Sequence, residues 1–305
     1  MELTAKERSL EEVQDVMPEQ AEEMDEGSRS NRSFLRKLYS GPIAWVSSGW
    51  IFLVVAAAVF APLLTPYSPV AGDIADKLMP IGTAGHFLGT DDQGRDLAAR
   101  IFFGGRITLL MGIVPVAVAG LIGCGLGIAA GYFGKTTGTV IMRCLDVFYA
   151  FPALVLAIAI SAALGPGISN ALVSLPIVFI APIARITETA VKQVKGLEFF
   201  EAARASGAGH WMIIRHHLLS NIFRPVFAYV TTLIGISILI ASSLSFLGLG
   251  VSPPTAEWGA MLGSLQNALF IVPSVAIPPG IVIFLTALSF NLLSDCIQDA
   301  LDVRS

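Results

Sequence analysis

Residues 107–134 read ITLLMGIVPVAVAGLIGCGLGIAAGYFG, twenty-eight consecutive positions without Asp, Glu, Lys or Arg. A bilayer's hydrocarbon core is roughly 30 Å thick, and about 20 apolar helical residues cross it. This stretch is long enough to do so. It also lacks the polar face that a helix resting on a soluble core would keep. Four further tracts, 38–72, 147–184, 225–256 and 258–294, are likewise free of charged residues. The tract at 147–184 has room for two spans, because Gly165-Pro166-Gly167 breaks it.

Of the 305 residues, 54% are hydrophobic and only 14% charged, against about 25% charged in a soluble domain. An ordinary soluble domain is thereby excluded. The expected fold class is all-α, a polytopic membrane protein with six transmembrane helices. An acidic tail over 1–40 is too long and too acidic for a cleaved signal peptide and reads as mostly disordered. A first transmembrane helix lies within 41–64, running from about Trp45 to Leu64. A loop follows over 65–105, then a transmembrane core over 106–295 and a short tail over 296–305. Within the core the expected spans are Ile107–Gly131, Leu145–Leu164, Ile168–Ala184, Phe227–Leu249 and Pro273–Leu293, with a polar loop over 185–224. Trp258–Phe270 is shorter and carries Ser264, Gln266 and Asn267, so it is expected to pack near the outer surface or re-enter partway.

Orientation follows from charge. With both termini cytoplasmic, 15 of the 19 Lys and Arg residues lie inside, and the loop over 65–105 becomes extracytoplasmic with only Lys77, Arg95, Arg100 and Arg106. Lys and Arg near helix ends favour the cytoplasmic side.

Several kinds of chemistry are not supported. Cys124, Cys144 and Cys296 lack metal-ligand spacing, and His86, His210, His216 and His217 form no zinc-binding pair. No catalytic set, cofactor or metal site is expected, and nothing points to nucleic acid. Gly131-Tyr132-Phe133-Gly134-Lys135-Thr136 ends like a phosphate-binding loop. Its first glycine would fall at Ala129, and a membrane helix stands where the motif requires a strand. The spans are almost without ionisable residues, whereas an ion-coupled transporter usually keeps one facing its path. Asp146, beside Arg143, reads as an end anchor. The driving energy must come from another protein, unless the chain is a passive channel.

Three local features remain. Gly123, Gly127 and Gly131 recur at steps of four, which lets two helices approach closely. Gly89, Thr90, Asp91, Asp92, Gly94, Arg95 and Asp96 lie in the outer loop. They suggest a self-contained network of carboxylates, turn N–H groups and Arg95, not a calcium loop, whose spacing is absent. Residues Glu198 to Gly207 read as a short surface helix ended by glycine, with Glu198 and Glu201 favoured near its N-terminus. Glu201 and Arg204 stand within reach of each other, and Phe199, Phe200 and Trp211 supply apolar anchors.

Taken in order, three stretches resemble the "C" permease subunit of dipeptide, oligopeptide and nickel-type ABC importers. They are Leu88-Gly89-Thr90-Asp91-Asp92-Gln93-Gly94-Arg95-Asp96; then Glu201-Ala202-Ala203 with Gly207 and Arg215-His216-His217; and then Phe246-Leu247-Gly248-Leu249-Gly250 through Pro253-Pro254-Thr255-Ala256-Glu257-Trp258-Gly259, with Phe290-Asn291-Leu292-Leu293-Ser294-Asp295. The second is similar to the EAA loop through which importer permeases meet their ATPases. After it, Leu219 and Ser220 stand where the family has proline and asparagine.

The resemblance implies a type I importer permease in the bacterial inner membrane, with no catalytic site of its own. It implies four partners besides lipid: a homologous second permease, two cytoplasmic ATPase subunits and an extracytoplasmic solute-binding protein. Glu201, Ala202, Ala203 and Gly207 would couple to the ATPase, the second to fifth helices would line the path, and the first would pack outside. The implied cargo is a dipeptide or oligopeptide. A nickel or other metal complex is the alternative within the family, and an autonomous channel or secondary transporter the alternative outside it.

Overall fold

The computed structural model describes residues 34–301; residues 1–33 of the acidic tail and 302–305 lie outside the described residues. Helix α1 (Pro42–Val59) starts on a proline, whose missing N–H would have no helical partner there in any case, and one further turn follows at Ala61–Leu64. After the loop come α2 (Leu97–Phe133), α3 (Lys135–Tyr149), α4 (Ala153–Leu164) and α5 (Ile168–Lys195). The short α6 (Glu198–Ala205) leads into α7 (His210–Phe246), which contains a π-helical turn at Ile213–Leu218. A surface segment holds α8 (Trp258–Ser264), and α9 (Ile277–Leu301) ends the described chain.

Five helices, Pro42–Val59, Leu97–Phe133, Ile168–Lys195, His210–Phe246 and Pro273–Leu301, are long and apolar enough to cross a membrane. The bent pair α3–α4 brings the number to six if it is one span. Helices α2 and α5 pack along each other and form the centre, with α7 against both. Helix α9 lies on the far side of α7, and α1 rests on α9 and α2 at the rim. Among the described residues there is no β-strand, only isolated bridges such as Thr90 with Asp96.

Several helix boundaries differ from those expected. Helix α2 begins at Leu97 rather than Ile107, so residues 97–105 are helical and not loop. The Asp96 carboxylate caps its first turn, accepting from Ala99 N at 2.7 Å. Trp258 supports the Gly104-Gly105 step: its indole Nε1 donates to Ile101 O at 2.9 Å, and side chains at either glycine would press on its ring.

The third span is not one straight helix over Leu145–Leu164. Its two halves meet at 85° across Ala150-Phe151-Pro152, where Pro152 supplies no N–H and its ring blocks the preceding turn. The 12 residues of α4 reach only about 18 Å, too short to cross alone.

Helices α5 and α7 run beyond the expected Ala184 and begin before the expected Phe227. The stretch 185–224 is therefore largely helical. A membrane reading stops at the first charge, but α5 continues because Thr187, Val191 and Val194 keep its buried stripe. The end of α9 likewise absorbs residues 296–301, expected as tail.

Candidate functional site

At the end of the bundle where α2 and α5 finish, α6 lies across the surface. Phe200, 2% exposed, is its anchor, seated among Tyr132, Val191, Val194, Ile213, Leu218 and Ile222. Phe199 and Trp211, expected to anchor it too, are exposed. The helix ends in a Schellman arrangement: Ala208 N donates to Ala203 O at 3.2 Å and Gly207 N to Arg204 O at 3.1 Å. Gly207 sits at φ +81°, with no atom within 4 Å of where a Cβ would stand. Glycine is needed there for its backbone and not for space. Glu201 and Ala202 are exposed and Ala203 half-buried, giving a shallow outward face. No ion pair joins Glu201 to Arg204 among the described residues.

The socket under Phe200 is tied to the α2–α5 pair. The Tyr132 ring stands edge-on to Phe200, 6.3 Å between centroids, and its hydroxyl bonds His210 Nδ1 at 2.7 Å. Lys195 Nζ donates to Gly131 O and Tyr132 O at 3.1 and 2.8 Å, satisfying carbonyls that the end of α2 leaves open. Above this knot runs the glycine seam. A Cβ on Gly123 would stand 2.9 Å from Ile180 O, one on Gly127 2.5 Å from Ala184 O, and one on Gly131 2.6 Å from Val191 Cγ1. All three glycines face α5. The shared packing runs unbroken from Phe200 into the centre of the bundle.

At the opposite end, the outer-loop residues make one knot over the start of α2. Asp91, 1% exposed, accepts from Gln93 N and Arg95 N at 2.9 Å each and from Arg95 Nε at 2.6 Å. Arg100 Nε approaches the same carboxylate at 3.4 Å, and its Nη1 donates to Pro69 O at 2.7 Å. Thr90 Oγ1 bonds Asp76 O and accepts from Met79 N. Asp96 receives His86 Nδ1 at 3.0 Å. Gly89 and Gly94 have φ of +79° and +70° and lie against the Met79 and Asp73 carbonyls, leaving no room for a side chain. Asp92 is partly exposed and stands 3.9 Å from Arg95.

Sequence reasoning missed three groups. The Tyr132–His210–Lys195 knot joins residues far apart in the chain, and no local pattern marks it. Glu257 lies in a loop stretch where no local pattern marks it for burial. It is wholly buried and caps α8, accepting from Gly259 N, Ala260 N and Thr108 Oγ1 at 2.9, 2.8 and 3.1 Å. Burial pushes its carboxyl above the ordinary range, and these donors together with Ser245 pull it back in part. Asp146 pairs chiefly with Arg185 across helices, while Arg143 stands 3.8 Å away. Among the described residues no group of three or more His, Cys, Asp and Glu is placed to hold a metal ion.

Known proteins resemble this chain over most of its length. Residues 123–305 match the family described as binding-protein-dependent transport system inner membrane component. Residues 31–80 match the N-terminal TM domain of oligopeptide transport permease C. The chain is 41% identical to the glutathione transport system permease protein GsiD of Pectobacterium atrosepticum, over 90% of this chain and 91% of that one. It is 37% identical to the probable D,D-dipeptide transport system permease protein DdpC of Escherichia coli, over 88% and 90%. It is 38% identical to the dipeptide transport system permease protein DppC of Alkalihalophilus pseudofirmus, over 90% of each. A solved chain of the methionine ABC transporter MetNI, inward facing, shares the fold at a TM-score of 0.51 and 20% identity, covering 65% of this chain and 94% of that chain.

Proposed function

The chain belongs to the binding-protein-dependent family of transport inner-membrane components, and from that premise we propose that it couples the movement of partner ATPases to the import of a short peptide. It is a multi-pass inner-membrane permease and a transport component, not an enzyme. The relatives named for glutathione and dipeptides support a peptide cargo over a metal complex. The complete machine, on this reading, adds a homologous second permease, two ATPase subunits that hydrolyse ATP, and an extracytoplasmic binding protein. Both termini and α6 lie on the cytoplasmic side, as the Lys and Arg asymmetry favours.

The observation that carries the coupling role is the seat of α6. Its outward face, with Glu201, Ala202 and Ala203, is shallow enough to enter a groove on an ATPase. Its inward face drives one buried aromatic, Phe200, between the ends of α2, α5 and α7. A push on α6 therefore reaches helices that line the path. The outer-loop knot at Asp91 and Arg95 would hold the loop over the external mouth.

Reconstituted with its partners, Glu201→Arg or Gly207→Trp should insert normally yet lose ATP-driven uptake. The second variant must also adopt a positive φ, at a cost of about 1–2 kcal/mol. Normal uptake and normal ATPase assembly in both variants would refute the coupling role.

A further inference from the structure

On the reading above, peptide leaves on the side that carries α6, and a cavity lies there that the coupling surface does not use. Its volume is about 350 Å³, within the range of small-ligand sites. The end of α2, the polar face of α3 and the last third of α5 bound it. Four cationic side chains, Lys135, Arg143, Arg185 and Lys192, line it against two carboxylates, Asp146 and Glu188. Two positive charges are thus in excess.

The carboxylates are already engaged: Asp146 pairs with Arg185, and Glu188 stands 2.7 Å from Lys192. Arg143 reaches Asp146 only at 3.8 Å, and Lys135 has no carboxylate within 4.0 Å among the described residues. These two are the surplus cations. The Lys135 backbone stands at φ +44° directly after Gly134 at φ +58°, and its side chain is exposed. A non-glycine residue keeps such a conformation only where its surroundings impose it. The turn lays α3 close against the end of α2, where a Cβ on Gly138 would stand 2.5 Å from Ala130 O.

Charges of both signs are spread along the cavity. Lys135 and Asp146 are separated by eleven positions on α3, about 16 Å of helix. An extended peptide advances about 3.3–3.6 Å per residue, so a peptide of two to about four residues is no longer than that span. Glu188 is held by a single flexible lysine and can exchange it for a peptide ammonium. A lone anion would use only the surplus cations, whereas a peptide uses both signs.

We propose that this cavity is a release-side site for a short peptide with a free carboxylate, bound by Lys135 and Arg143 with its ammonium at Glu188, through which accumulated peptide slows further uptake. The site rests on the importer reading but adds a ligand position and a feedback that the reading does not contain.

The test uses the complete transporter in phosphatidylcholine nanodiscs without its binding protein. Equilibrium binding of labelled alanylalanine and glutathione is measured for wild type and for Lys135→Gln with Arg143→Gln. The double variant should bind about ten-fold more weakly or worse, equivalent to about 1.4 kcal/mol, and alanylalanine amide should bind wild type as poorly. In proteoliposomes, peptide preloaded on the ATP side should slow initial uptake by wild type and leave the double variant unaffected.

Equal binding to both proteins would overturn the site. So would displacement by inorganic phosphate as effective as by peptide, or loss of binding when phosphatidylglycerol is added, which would make it an anion or lipid-headgroup site. ATP-driven uptake into empty vesicles is the separate control. Its presence without peptide binding overturns this proposal alone, and its absence overturns the importer reading.

Discussion

Gly127→Ala probes the α2–α5 seam with a single carbon. On an open helix surface, alanine in place of glycine stabilises by about 0.5–1 kcal/mol. At Gly127 the added carbon would stand 2.5 Å from both Ala184 O and Thr187 Cβ, where ordinary contact is 3.4–4 Å. The carbonyl belongs to the backbone of α5 and cannot swing aside, so the helices must separate by about 1 Å or bear the overlap, at about 1–3 kcal/mol. The net loss is about 1–2 kcal/mol, or about 2–6 °C in Tm for a chain of this size. Gly125, two residues away on the same helix, has no atom within 4 Å of its Cβ position. Gly125→Ala should therefore raise Tm by about 1–3 °C. Both variants can be purified in one detergent, heated, and followed by the monodisperse fraction on gel filtration. A Gly127→Ala protein as stable as wild type, or two variants shifting together, would refute the seam.

Asp91→Asn takes from Arg95 and Arg100, 2% and 3% exposed, the buried carboxylate they share. Breaking one side of a buried pair costs about 3–5 kcal/mol, so proteolysis should open the outer loop at lower temperature than in wild type. Tyr132→Phe keeps the ring against Phe200 and removes only the 2.7 Å bond to His210, worth about 1 kcal/mol. ATP hydrolysis should persist while solute moved per ATP falls, and an unchanged ratio would remove this bond from the coupling route. Glu257, its carboxyl raised by burial, keeps its proton in the folded chain to higher pH than in the unfolded one. That contribution is complete below the unfolded value near 4.3 and is lost as pH rises through the folded value. Glu257→Gln cannot titrate, so thermal melts across pH should show wild type losing stability relative to the variant as pH rises.

Much of α6 was legible in the chain. Glu198, Glu201 and Gly207 mark the start and stop of α6 because capping and left-handed termination act within one turn. The glycines at 123, 127 and 131 were legible by their spacing, but that they face α5 was not. The choice of anchor was missed. Phe199 and Phe200 are adjacent and equally apolar, and only the position of the α2 and α5 ends decides which one is buried. The extension of α5 through Arg185, Glu188, Lys192 and Lys195 was hidden for a related reason. Each of these charges finds a partner outside the local pattern or one turn away, so the helix tolerates them where a membrane reading stops.

Sequence by itself determined that this chain is a bundle of membrane helices. In lipid every backbone group must be bonded within its own segment, and long charge-free tracts record that demand locally. Only the tertiary structure decided where the rare polar groups meet: Asp146 with Arg185, Tyr132 with His210, and Glu257 with Thr108. Those partners lie 39, 78 and 149 residues apart. Such pairings are fixed by how the helices pack, because no turn of one helix can hold both ends.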